Sequence, residues 1–259
     1  VEVIQMAVKA NHDISSGLDT AFINSAINSN LAYRPEFVSN DYTQGKKVSV
    51  AIERELRHCD AFYISVAFIT EGGLAPLKQV LAELRDKGIP GKILTTSYLT
   101  FTEPKALKTL ADLSNVEVRV YDSTDEGASG FHTKGYIFKE EEIYRFIVGS
   151  SNMTASAFSV NKEWNTKLVS TSDGELLKQM MTEFNALWNS KHTLAVKDFI
   201  EDYEVRYRLI KEQKKNAAKE QMVDLQAYKL QPNKMQARFV SNFRKLLESN
   251  EHRGLLVSS

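Results

Sequence analysis

The sequence predicts an α/β fold: a mixed β-sheet flanked by helices on both faces, continued by a C-terminal helical extension. Three observations predict it. Apolar runs of strand length alternate with helical-period segments between residues 48 and 120. The rhythm changes to strands in succession after residue 130, and the apolar spacing becomes helical beyond residue 173.

Residues 1–45 are polar and weakly periodic, with turn-like clusters at Ser15-Ser16-Gly17 and Ser39-Asn40-Asp41. They read as a lead-in segment with one helix around residues 20–29. Val48, Ile52, Leu56 and Cys59 recur at helical spacing, and the run Ala61-Phe62-Tyr63-Ile64-Ser65-Val66-Ala67-Phe68 suits the centre of a sheet. A helix follows Gly72-Gly73, carrying Leu74, Leu77, Val80, Leu81 and Leu84. A strand over 92–96 comes next, then a helix over 104–113 with Thr102 as its cap, then a period-2 strand over 116–120. Two strands, 134–138 and 143–148, flank Glu140-Glu141-Glu142 as a solvated hairpin tip, and a third covers 164–169. From Asp173 to about residue 220 the pattern is helical, with one apolar stripe through Leu177, Phe184 and Trp188 and another through Phe199, Tyr203 and Tyr207. The expected organisation is a lead-in over 1–45, a catalytic domain over 46–192, a helical extension or linker over 193–229, and a fresh unit over 230–259 holding an amphipathic helix and a final strand.

Bulk properties bound the function. Thirty-three Lys and Arg balance 33 Asp and Glu, so the net charge is zero. That counts against a protein that coats nucleic acid through global charge and leaves a local basic cleft open. The single cysteine, Cys59, allows no internal disulfide and no CxxC metal framework. No apolar stretch approaches the ~18–20 residues that span a bilayer, and Val1-Glu2-Val3-Ile4-Gln5-Met6 lacks a secretory pattern. The expectation is a soluble, cytoplasmic protein with no membrane partner, no cofactor and no metal.

The chemistry concentrates between residues 131 and 165. His132 and Lys134 stand two apart, so on a strand they project to one face. An imidazole beside an ammonium fills a core badly, but it suits an anion: the lysine pairs with a phosphate oxygen and helps keep the histidine neutral and nucleophilic. Gly149-Ser150-Ser151-Asn152 supplies hydrogen-bond donors on a backbone that a ligand can approach closely. Eleven residues past Asn152 stands Glu163, a carboxylate suited to fixing an imidazole tautomer. Taken singly, His-x-Lys is an ordinary exposed pair and Gly-Ser-Ser-Asn an ordinary turn. Together they match a phosphoryl-transfer site of donors around one nitrogen nucleophile, without a carboxylate cluster for Mg²⁺.

In order and spacing, His132-x-Lys134, Gly149-Ser150-Ser151-Asn152 and Glu163 resemble the phospholipase D superfamily, over roughly residues 48–190. The resemblance implies that His132 attacks phosphorus to give a phosphohistidine, that Lys134 and Asn152, with Ser150 and Ser151, hold phosphate oxygens, and that Glu163 orients His132. It also implies two motifs per site. His12, His58, His192 and His252 have no lysine two residues on, so the site is expected at a homodimer interface. Many members carry an Asp five positions after the motif lysine, where this chain has Lys139.

Members with one motif per chain resemble nucleases, which favours nucleic acid, DNA ahead of RNA, as substrate. Leu230-Gln231-Pro232-Asn233 and the closing His252-Arg253-Gly254-Leu255-Leu256-Val257-Ser258-Ser259 resemble the opening of a superfamily 2 helicase motor, with no phosphate-binding loop present. The expectation is a metal-independent nuclease domain of a restriction-type helicase protein. A catalytically silent nucleic-acid-binding or dimerisation module, and a hydrolase of phospholipid or another small phosphodiester, remain open beside it.

Overall fold

The computed structural model describes residues 2–24, 26, 30–227 and 234–249. They divide into two compact units, Val1–Arg208 and Leu209–Ser259. In the first, eight strands build one sheet: β1 (Glu36–Val38), β2 (Ala61–Val66), β3 (Gly91–Thr96), β4 (Val116–Tyr121), β5 (Lys134–Glu140), β6 (Ile143–Gly149), β7 (Asn165–Thr171) and β8 (Thr193–Ala195). Their order is β1-β7-β6-β5-β2-β3-β4-β8. β2, β3 and β4 run parallel, while β5 lies antiparallel to β2 and opens the antiparallel ladder β5-β6-β7-β1. The sheet is therefore mixed, as the change of rhythm near residue 130 predicts.

Period-2 alternation explains why helices cover both faces. Phe62, Ile64 and Val66 of β2 project to one side together with Tyr136, Phe138 and Ile147. There they pack against α2 (Val48–Leu56), α4 (Lys78–Asp86) and α5 (Pro104–Ala111), through Ile52, Leu81 and Leu107 among others. Phe199 and Tyr203, from the start of α8 (Val196–Ala227), complete this core. Ile137 and Phe146 project to the opposite side, beneath Leu177 of α7 (Glu175–Trp188), with Tyr63 packed alongside. Each such side chain contributes about 1.5–3 kcal/mol on burial.

A buried ion cluster ties α2 to the antiparallel half of the sheet. Lys167 Nζ lies 2.5 Å from Glu36 Oε1 and 3.3 Å from Glu55 Oε1. Arg54 reaches Glu55 at 3.3 Å and Glu36 at 3.0 Å, and Arg145 lies 3.8 Å from Glu55. Glu55 is 6% exposed and Lys167 4%, so the charges compensate one another out of water.

The structure departs from expectation at four places. The lead-in opens with a long helix, α1 (Glu2–Leu18), which runs into a π-helical turn at Asp19–Ile23 and ends at an extended Asn24; residues 25 and 27–29 of the helix expected there lie outside the described residues. Gly17 is a packing glycine: a Cβ would stand 2.9 Å from the Tyr33 backbone. The helical stretch expected from 173 to 220 is interrupted by β8, which pairs with β4. Thr102 does not cap α5; its buried hydroxyl bonds to the Thr96 and Ala67 carbonyls at 3.0 and 3.3 Å. The helix expected after Gly72-Gly73 begins at Glu71, as α3 (Glu71–Leu74), and is broken by a 3-10 turn at Ala75–Leu77 that contains Pro76.

The second unit contains the end of α8 and the helix Lys234–Glu248, on which Phe239 and Phe243 stack with ring centroids 5.9 Å apart. The final strand expected over 254–259 lies outside the described residues. Among the described residues no helix is long and apolar enough to cross a membrane.

Candidate active site

The ladder brings the candidate residues to one end of the sheet. β5 begins at Lys134, β6 ends at Gly149 and β7 begins at Asn165, so antiparallel pairing places these three ends together, beside the exit of β2. Lys134 pairs with Val66 across β2–β5, and the Ala67 amide donates to Thr133 O at 3.0 Å, which carries the ladder one residue past the strand.

His132 lies just before β5 rather than within it and is exposed. Its ring meets the Phe68 ring edge-on, centroids 5.9 Å apart. Neither ring nitrogen is hydrogen-bonded among the described residues, so a lone pair stays available to a ligand. Lys134 Nζ donates to the His132 main-chain carbonyl at 2.8 Å, which ties the ammonium to the segment that carries the imidazole. Partial burial lowers the Lys134 pKa from its ordinary value, and the Glu163 carboxylate opposes that shift.

Asn152 sits across the exit of β2. Its Oδ1 accepts from the Phe68 amide at 3.1 Å. That bond assigns the side chain's orientation and leaves both Nδ2 protons as donors. The chain then runs parallel to residues 68–70, with Met153 N donating to Phe68 O and Thr70 N to Met153 O, each at 3.0 Å. Gly73 permits this approach: a Cβ there would fall 2.0 Å from Met153 O.

Glu163 is buried, 7% exposed. The Ser150 hydroxyl donates to its Oε2, and the Ser151 hydroxyl donates to the same oxygen at 3.4 Å. Ser150 Oγ accepts in turn from the Trp164 amide at 3.1 Å. The sequence reading gave both serines to phosphate and Glu163 to the His132 ring. In the structure the two hydroxyls are turned to Glu163, Ser151 is fully buried, and no hydrogen bond joins Glu163 to His132 among the described residues.

Supporting residues escaped the sequence reading, which took them as plain strand positions. Asn165 Nδ2 donates to Ser151 Oγ at 2.9 Å and to Val38 O at 3.1 Å, while its Oδ1 accepts from Ser151 N at 3.2 Å. Tyr136, wholly buried, donates its hydroxyl to Ser151 O at 3.0 Å; burial first, and the Glu163 charge second, push its pKa far up. A polar residue opening a buried strand, as Asn165 does, was the available signal. The loop delivering His132 is also tied down. His192 Nδ1 lies 2.8 Å from Asp125 Oδ2, Tyr121 Oη lies 3.1 Å from Ser129 Oγ, and Asp122 accepts from Ser97 at 2.8 Å.

The departure at Lys139 falls away from this cluster. Lys139 stands five residues along β5 from Lys134, about 17 Å at strand rise. Its carbonyl accepts from Asp60 N at 2.7 Å, and Asp60 Oδ2 accepts from Glu141 N at the hairpin tip. Among the described residues no group of three or more His, Cys, Asp or Glu is placed to hold a metal ion.

The fold thus defines an α/β protein with a mixed eight-stranded sheet between two layers of helices. The chain belongs to the phospholipase D-like family: the family described as "Cardiolipin synthase, PLD-like domain" matches residues 58–188. Among solved structures it is similar to NucT from Helicobacter pylori, at 14% identity and TM-score 0.48, over 63% of this chain and 99% of that one. It is similar also to Nuc, a phospholipase D family member from Salmonella typhimurium, at 16% identity and TM-score 0.47, over 62% and 98%. Phosphatidylserine synthase from Haemophilus influenzae Rd KW20 aligns at 15% identity and TM-score 0.47, over 73% of this chain and 46% of that one. No curated protein matches the chain.

Proposed function

We propose that the chain is a metal-independent phosphodiesterase acting on nucleic acid, DNA ahead of RNA, as the cytoplasmic nuclease domain of a restriction-type helicase protein. One observation carries the reading: the strand ends bring together the segments of His132, Lys134 and Asn152. His132 is exposed, with neither ring nitrogen hydrogen-bonded among the described residues; the Lys134 ammonium bonds to the His132 carbonyl; and Asn152, its Oδ1 engaged, keeps its amide protons as donors.

In this reading a ring nitrogen of His132 attacks phosphorus, forming an N–P bond as the P–O bond to the leaving group breaks. Lys134 and the Asn152 amide hold the non-bridging oxygens, where charge grows in the transition state. Glu163, positioned by Ser150 and Ser151, keeps Lys134 charged. The leaving oxygen takes a proton from His132 of the partner subunit. That imidazole then removes a proton from water as the water attacks phosphorus and the N–P bond breaks. One motif per chain makes the site a shared one, in a homodimer with two-fold symmetry. The resemblance of the tail sequence to the opening of a helicase-type motor favours a nucleic-acid substrate over a lipid.

The test is cleavage of labelled single- and double-stranded DNA in excess EDTA by the parent and His132→Ala chains. Cleavage that survives EDTA and disappears in the variant, with acid-labile, alkali-stable phosphate trapped on the protein, supports the reading. Cleavage abolished by EDTA overturns the mechanism. DNA binding without cleavage would make the chain a silent module, and activity confined to lipid phosphodiesters would move it to another substrate.

A further inference from the structure

The carboxylate expected to orient His132 is engaged elsewhere: Glu163 Oε2 accepts from Ser150 and Ser151. The imidazole meets the half-buried Phe68 ring instead, edge-on, with centroids 5.9 Å apart. At that spacing aromatic rings attract and hold one another's orientation. An exposed histidine with no such neighbour samples several staggered rotamers.

The main chain around Phe68 is fixed on both sides. The Ala67 amide donates to Thr133 O at 3.0 Å, one residue past His132. The Phe68 amide donates to Asn152 Oδ1 at 3.1 Å, and the Phe68 carbonyl accepts from Met153 N at 3.0 Å. Phe68 therefore joins the two groups directly, touching the imidazole with its ring and the Asn152 amide with its backbone.

A second ring braces the first. Phe101 meets Phe68 with centroids 5.0 Å apart and planes at 74°. The loop that brings it there is strained: Leu99 and Thr100 both take a φ of 53°, a region that L residues avoid and β-branched ones most of all. Thr100 N donates to Ser97 O at 3.0 Å, and the buried Thr102 hydroxyl lies 3.0 Å from Thr96 O and 3.3 Å from Ala67 O, which closes the loop. Backbone strain of this kind persists only where the surroundings over-determine it, and it gathers at working sites.

We propose that Phe68, braced by Phe101, is a positioning residue that holds the His132 ring in one orientation relative to the Asn152 amide. The proposal deepens the phosphodiesterase reading above and rests on it for its chemistry. The orienting role expected of a carboxylate falls to an aromatic ring.

Phe68→Leu keeps apolar bulk and the main-chain bonds but removes the ring, and Phe68→Tyr restores it. Three-bond couplings about the His132 χ1 bond, measured by NMR on histidine-labelled chains and assigned by their loss in His132→Ala, report the rotamer without any turnover. The parent and Phe68→Tyr are expected to show one staggered well, and Phe68→Leu an average over wells. In phosphodiester cleavage by Phe68→Leu, kcat is expected to fall at least about threefold, as one well of three is no longer selected, and toward ~100-fold if the ring is misplaced by about 1 Å. KM should stay with the parent, and Phe68→Tyr should recover the rate. Averaged couplings in the parent, or a single well in Phe68→Leu, overturn the proposal even if the melting temperature falls. A raised KM with kcat unchanged assigns Phe68 to substrate binding and overturns it as well. Should Phe68→Leu fail to fold, Phe101→Leu removes the brace and is expected to average the same couplings; a single well there overturns the proposal. If no chain cleaves, couplings averaged in Phe68→Leu and restored in Phe68→Tyr keep the positioning role and remove the phosphodiesterase reading. Cleavage by the parent with couplings unchanged in Phe68→Leu does the reverse.

Discussion

Gly149→Ala is a substitution whose outcome the geometry constrains closely. A Cβ on Gly149 would fall 2.2 Å from Trp164 O and 2.6 Å from Asn165 Cα, both backbone atoms of the strand start that faces it. Real Cβ contacts do not go below 3.0 Å, so the ends of β6 and β7 must part by about 1 Å. Overpacking of this kind costs about 1–3 kcal/mol. Restricting the unfolded chain returns about 0.4–1 kcal/mol of that. The net loss, about 1.3 kcal/mol at the middle of these ranges and about 2.6 at most, corresponds to a melting temperature roughly 3–10 °C lower for a domain of this size. The strand start that moves carries Trp164 and Asn165, the partners of Ser150 and Ser151, so Glu163 is displaced too. A 1 Å misplacement of a reacting constellation costs on the order of 100-fold in rate. Thermal unfolding by circular dichroism and phosphodiester cleavage read the two effects separately. Gly135→Ala is the control, because its Cβ meets nothing closer than 3.6 Å. A Gly149→Ala chain that melts with the parent and keeps its rate would refute the claim that this glycine exists for close approach.

Three further outcomes follow from charges. Lys167→Met leaves Glu55 buried with only Arg54 and Arg145 beside it, and should cost about 3 kcal/mol, the low end for a broken buried pair, in urea unfolding; a loss under about 0.5 kcal/mol would show the cluster to be ornamental. Burial acts to raise the Asp122 pKa, but hydrogen bonds from Thr124, Ser97 and Arg206 outweigh it and hold the carboxyl below its ordinary 3.8. The stability it supplies is therefore complete above that value and is lost as pH falls through the folded one, so urea midpoints between about pH 6 and pH 3 should drop less in Asp122→Asn than in the parent. For Lys134 the sign is opposite: as a phosphate ligand it must stay protonated, and its lowered pKa puts the alkaline rise in KM below 10.5. Glu163→Gln removes the carboxylate that opposes the shift and should move that rise to lower pH; an unmoved profile would separate Glu163 from Lys134.

What the sequence shows directly is whatever depends on local period. The run from Ala61 to Phe68 and the pair of strands after Gly130 carry their alternation in a few adjacent residues, and the structure has them as strands. Ser15-Ser16-Gly17 misled, because its glycine answers to the backbone of Tyr33, sixteen residues away, and no local pattern records that. β8 escaped because three residues between two helical stripes carry too little periodicity to separate from either. The candidate site divides the same way. Residue types and spacing pointed to His132, Lys134, Asn152 and Glu163, and the ladder does gather their segments. Which donor serves which acceptor is a tertiary matter: two adjacent serines look alike as phosphate donors until Asn165 and Tyr136 fix the backbone of Ser151 and turn its hydroxyl inward.

The sheet ends on both sides in strands of only three residues, β1 and β8. Such stubs offer a second chain almost no ladder to extend, which is how natural sheets avoid sticking edge to edge. If two copies of this protein meet, continuing the sheet sideways would add only a three-residue ladder. An approach at the ends of the strands by two-fold rotation would instead bring like residues face to face.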